Sequence, residues 1–142
     1  MKELFHLLGR NAFLNTEVIC AVFISFFFAI LFLQSGLDKI FNYKSELVWT
    51  KEHFSKSILS RLASFMFYVL ILLELITGVI SLIAPFLFWF TGDPICFFFS
   101  NVLSCLTLLA LFFGQRVAKD YAGAVSLTGY FIVSIIGIYL SL

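Results

Sequence analysis

Apolar positions fall in four long blocks, roughly Val18 to Leu37, Leu62 to Ala84, Ile95 to Phe113 and Ala122 to Leu142, separated by shorter polar stretches. Each block is close to the ~20 residues that cross a hydrocarbon core at ~1.5 Å of rise per helical residue. Polar residues inside the blocks do not alternate with apolar ones, whereas a barrel needs many segments of ~10 residues with period two. The pattern therefore predicts four membrane-spanning helices. The first block is expected to be retained: it starts only at Val18, ends in Gln34-Ser35-Gly36-Leu37 without a small-residue cleavage site, and places bulky Ile19 before Cys20, unlike a lipoprotein signal.

Within each block, small or weakly polar side chains recur at helical spacing, and such seams face other helices because small residues let backbones approach. The predicted seams are Ser25, Ala29, Phe32 and Gly36 in the first helix, and Glu74, Thr77, Gly78 and Ser81 in the second. They continue as Asn101, Ser104, Cys105 and Leu108 in the third, and Ser126, Gly129, Tyr130, Val133 and Gly137 in the fourth. An all-α integral membrane four-helix bundle, one domain over residues 1–142, buries all four seams together. The stretch Asp38 to Arg61 mixes Phe41, Tyr43, Trp49, Phe54 and Ile58 with lysines and carboxylates, and is expected to lie in the headgroup region. Pro85 is expected to end the second helix, with Phe86 to Phe90 interfacial and Gly92-Asp93-Pro94 making the turn.

Composition removes the soluble alternative: 62% of the 142 residues are hydrophobic, 12% are charged, and 20 phenylalanines exceed what one small core can hide. A net charge of +1 provides no basic field for nucleic acid. Lipid bilayer and other membrane subunits are the expected partners. The few charges do carry orientation. The first and third connections hold seven Lys and Arg (Lys39, Lys44, Lys51, Lys56, Arg61, Arg116, Lys119), against two (Lys2, Arg10) on the other side. Basic residues stay cytoplasmic, so both termini are expected outside, with the first and third connections in the cytoplasm.

Candidate chemistry is sparse. Glu74 stands well inside an apolar block, where an ionised carboxylate costs on the order of 3 kcal/mol, and intramembrane acids mark proton, ion or ligand sites. Desolvation favours a neutral acid there, with Asn101, Ser104, Tyr130 or a quinone carbonyl as hydrogen-bond acceptor; Thr77 completes this candidate set. A purely architectural role, fixing helix register, is the alternative. His6 and His53 fall outside the blocks, so no block offers a haem ligand, and no His, Cys or carboxylate cluster has metal-ligand spacing. The three cysteines form no C-x-x-C pair; free apolar packing is expected, with a Cys20–Cys96 disulfide as the minority alternative because both sit near the outer surface.

Phe32-Leu33-Gln34-Ser35-Gly36-Leu37-Asp38-Lys39 resembles the Ser-Gly-x-x-Lys ending of the first helix in DoxX-like membrane proteins. Glu74 to Gly78 is similar to their second-helix Glu-x-x-x-Gly, and Gln115-Arg116-Val117-Ala118-Lys119 to their basic turn before the last helix. The resemblance runs from helix 1 to helix 4, and Phe113 to Ala124 looks like the Bacteroidetes-type branch. It implies Ser35, Gly36, Lys39, Glu74 and Arg116 as family-motif positions and no residue for covalent chemistry. It further implies an accessory or assembly subunit of a larger, redox or respiratory, membrane complex, with a quinone-interacting oxidoreductase component as the alternative. A small transporter or proton pathway comes third, since one buried carboxylate and four spans offer little for alternating access. The charge count predicts that tags at both termini of the intact cell-envelope protein are cleaved by externally added protease; protection of both would reverse the orientation.

Overall fold

The computed structural model describes residues 15–142; Lys2, His6 and Arg10 lie outside them. Five α-helices follow one another: α1 Thr16–Phe41, α2 Tyr43–His53, α3 Ala63–Thr91, α4 Ile95–Val117 and α5 Tyr121–Leu140, with a 3-10 turn Ser60–Leu62 before α3. Among the described residues, α1, α3, α4 and α5 are long and apolar enough to cross a membrane. The protein is a multi-pass, all-α four-helix membrane bundle, with α2 lying across its basic end.

Helices α1 and α3 pack most extensively, and reciprocal glycines explain how. A Cβ on Gly78 would stand 2.9 Å from the Leu33 backbone nitrogen, and one on Gly36 would stand 2.8 Å from the Leu75 Cδ2. Each helix thus presses a leucine into a glycine notch of the other, the close backbone approach that small residues permit. Hydroxyls join α3 to α4: Thr77 and Thr107 share a hydrogen bond of 2.7 Å, and Ser100 donates to Ser81 at 3.0 Å. Helix α4 meets α5 where the Asn101 side chain fills the space that a Cβ on Gly137 would need. Asn101 Nδ2 donates to the Phe97 carbonyl at 2.8 Å.

Three expectations change. First, the 38–61 connection is mostly helical: α1 continues to Phe41 and α2 follows after Asn42, with Phe54 and Thr50 buried while Phe41 and Ile58 stay exposed. Second, α3 runs through Pro85 to Thr91. A proline removes one helical hydrogen bond, and continuing the helix keeps the rest of the backbone bonds of this apolar stretch. Gly92, at φ 70°, ends it instead, its N–H bonding the Phe88 carbonyl, and Asp93 Oδ1 then accepts from Ile95 N at the start of α4. Third, α5 presents Ala124, Ser134 and Gly137 inward, while Ser126 and Gly129 are exposed and Tyr130 and Val133 only partly buried. Apolar residues surround α5 on every side, so its own periodicity is a weak guide to rotation; the fit of Gly137 to Asn101 and of Tyr130 and Phe131 to the Phe28–Phe32–Leu108 cluster sets it. Cys20, Cys96 and Cys105 are free thiols, in line with the expected free packing, and the minority alternative of a Cys20–Cys96 bridge is absent. Cys96 packs beside Ala21, Ala84, Phe88 and Phe97 and donates its S–H to the Asp93 carbonyl.

Because a Cβ on Gly78 would crowd backbone at 2.9 Å, whereas one on Gly36 would crowd the Leu75 side chain and stand 3.5 Å from the nearest backbone atom, Gly78→Ala is expected to destabilise the bundle by about 1–3 kcal/mol and Gly36→Ala by less. Gly129→Ala, with nothing near its added methyl, should be neutral. Denaturation in mixed micelles ranks the three; equal stability of Gly78→Ala and wild type would contradict the notch.

Candidate functional site

The chain Ser35, Lys39 lies one turn apart on α1, so both side chains leave the same face and point at α3. There Lys39 Nζ reaches Glu74 Oε2 at 2.9 Å and Oε1 at 3.1 Å, and donates to Ser35 Oγ at 2.7 Å. Ser35 Oγ in turn donates to Glu74 Oε1 at 3.0 Å. Glu74 is 1% exposed and the Lys39 side chain 18%. The lysine stem therefore carries its ammonium inward from the helix end to a carboxylate that has left water altogether, the reverse of the usual snorkelling toward the interface.

This cluster sits on the wall of a cavity of about 420 Å³ at the basic end of the bundle. All four spanning helices contribute apolar lining, including Leu31, Phe67, Leu73, Leu108, Leu111 and Leu127, and Tyr130 brings a phenol from α5. Helix α2 closes the end with Glu46, Trp49, Thr50 and His53. Phe54 anchors it against α4, where a Cβ on Gly114 would stand 3.5 Å from the Phe54 Cζ. The Trp49 and His53 rings stack at 4.5 Å, and His53 Nε2 shares a hydrogen bond of 3.0 Å with Gln115 Oε1 and lies 3.9 Å from Asp120 Oδ2. Asp120 is held in place by capping α5, its Oδ1 accepting from Gly123 N at 2.8 Å.

The predicted residues divide accordingly. Ser35, Lys39 and Glu74 form one hydrogen-bonded group, and Tyr130 lines the same cavity. Asn101 and Ser104 are not partners of Glu74: each turns back on its own helix, to the carbonyls of Phe97 and Ser100. Thr77 bonds Leu73 O and Thr107 rather than the carboxylate. Gly36 serves the α1–α3 contact, and Arg116 is exposed, its guanidinium 4.7 Å from the Tyr121 ring centre. The expected partners of Glu74 on α4 are thus replaced by Lys39 and Ser35 on α1. Hydropathy does not reveal this pairing, because the first apolar block ends at Leu37, two residues short of Lys39. His53 likewise falls outside the apolar blocks. The signal available was Trp49-x-x-x-His53, two rings on one face of a helical stretch.

Removing one partner leaves the other buried and uncompensated, which costs about 3–5 kcal/mol. Lys39→Met is therefore expected to destabilise the protein by that order, and Lys39→Met/Glu74→Leu to regain most of it. The check is a double-mutant cycle of unfolding in micelles; additive losses would show that the pair is not coupled.

The chain matches no protein-family model, no curated protein and no solved structure in the comparisons made.

Proposed function

We propose that this protein binds an uncharged, membrane-dissolved molecule of the quinone class in the cavity beneath α2, as a DoxX-like component of a redox assembly in a bacterial inner membrane. The observation that carries this reading is the Lys39–Ser35–Glu74 cluster on the wall of an otherwise largely apolar cavity. Small-molecule sites have this form: hundreds of Å³ of apolar lining with a few polar groups that orient one end of the ligand. A quinone offers the matching shape, a carbonyl-bearing ring for the polar wall and a hydrocarbon tail for the leucines. In this reading the cavity faces the cytoplasmic leaflet and the termini the periplasm, by the distribution of basic residues.

A second reading, a non-catalytic accessory or assembly subunit, is supported by α5. Its Ser126 and Gly129 face outward with open space beyond Gly129, and small residues on a lipid-facing surface admit a helix of another subunit. The two readings are compatible, since a subunit can hold a quinone for a catalytic neighbour.

Trp49 lines the cavity, so decylubiquinone binding should quench its fluorescence in a Trp89→Phe background. Lys39→Met/Glu74→Leu, which removes the polar wall, and Leu111→Trp, which fills the cavity, should each weaken binding by at least about tenfold. Unchanged affinity in both variants would dismiss the cavity as the quinone site.

A further inference from the structure

Glu74 does more than compensate a lysine. The charged side chains lining the cavity are Lys39, Glu74 and Glu46, with His53 as a further titratable group. With His53 neutral, their formal sum is +1 − 2 = −1. Lys39 is the only cation among them, and its ammonium is engaged by both carboxylate oxygens of Glu74 and by Ser35 Oγ. As an ammonium facing a carboxylate at 2.9 Å, the Lys39–Glu74 pair has no net charge. In an apolar cavity, where charge interactions are poorly screened, an unmatched lysine would be a receptor for a carboxylate headgroup; the matched lysine is not.

We infer that Glu74 determines the ligand class of this cavity: by cancelling Lys39 it reserves the site for uncharged headgroups and excludes fatty-acid anions. The inference rests on the ligand-binding reading above and adds a selectivity to it. Fatty acids are the relevant competitors, because they share a long hydrocarbon tail with membrane quinones and are dissolved in the same bilayer. Discrimination between such similar amphiphiles is achieved by building a penalty against the wrong one. Here the penalty is the cost of separating Lys39 from Glu74, leaving a buried carboxylate unpaired while a second carboxylate takes its place. Glu46 on α2 adds a like charge at the same cavity. An uncharged carbonyl needs only a share of the hydrogen bonds at the cluster and leaves the pair intact.

The test uses the full chain purified in detergent, with radiolabelled oleate, radiolabelled methyl oleate and decylubiquinone as probes. Wild type should bind methyl oleate at least about tenfold more tightly than oleate, two probes alike in chain and different in charge. Glu74→Gln keeps the shape of the side chain and an acceptor for Ser35 and Lys39 but releases the lysine charge, so oleate affinity should rise by at least about tenfold. Lys39→Gln/Glu74→Gln, with no charge at either position, should lose that gain. Equal binding of oleate and methyl oleate by wild type overturns the inference, and this arm needs no variant to fold. So does the absence of an oleate gain in a folded Glu74→Gln. Should wild type hold neither decylubiquinone nor methyl oleate, the ligand-binding reading falls. Oleate capture by Glu74→Gln alone would then still support the charge-cancelling role, and no capture would end it.

Discussion

A carboxylate buried inside a helix bundle has to find its counterion and its hydrogen bonds within the protein, because burial takes it out of bulk solvent. Glu74 meets that requirement through α1 alone, taking Lys39 and Ser35 from two successive turns of one helix. The requirement sets the geometry around it. To bring a lysine ammonium to a fully buried carboxylate, α1 and α3 must lie close over their length, and the Leu33–Gly78 and Gly36–Leu75 notches permit that approach. The ion pair and the glycines are therefore two parts of one arrangement: without the notches the backbones stand apart, and without the pair the charge cannot be buried.

The remaining polar side chains follow the same constraint in milder form. Hydroxyls inside the bundle bond to one another between α3 and α4, or fold back on carbonyls of their own helix as Ser104 does. These bonds each add little, but their register selects which faces meet. Among the described residues, the Ser25 hydroxyl and the Asn101 Oδ1 are buried without a hydrogen-bond partner. For Asn101 the close approach to Gly137 accounts for the position: the amide is pressed against a helix surface that has no side chain.

Much of this architecture was legible in the sequence. Four spans, the inward faces of α1 and α3 and the burial of Glu74 follow from hydropathy and from the position of that acid inside an apolar block. What was not legible came from long-range fit. The rotation of α5 depends on where Asn101 stands, which no local pattern in α5 encodes. The extension of α3 past Pro85 rests on the backbone bonds that the continuing helix keeps, which outweigh the one that the proline removes. Lys39 looked like part of the polar connection because hydropathy scores a lysine as outside. Only the position of Glu74, on another helix, brings it in. His53 and Gln115 are 62 residues apart, and only the closing of α2 over the bundle makes them neighbours.

The spanning helices are unequal: α3 has 29 residues and α1 has 26, while α5 has 20. At about 1.5 Å per residue, α5 matches a hydrocarbon core of about 30 Å, and the α1–α3 pair exceeds it by roughly 10 Å, an excess to be absorbed by tilt or by projection into the headgroups. The cavity is lined jointly by the long pair and the short helix. A change in bilayer thickness consequently acts on its two sides unequally, and lipid chain length becomes a variable to which the width of the cavity is mechanically exposed.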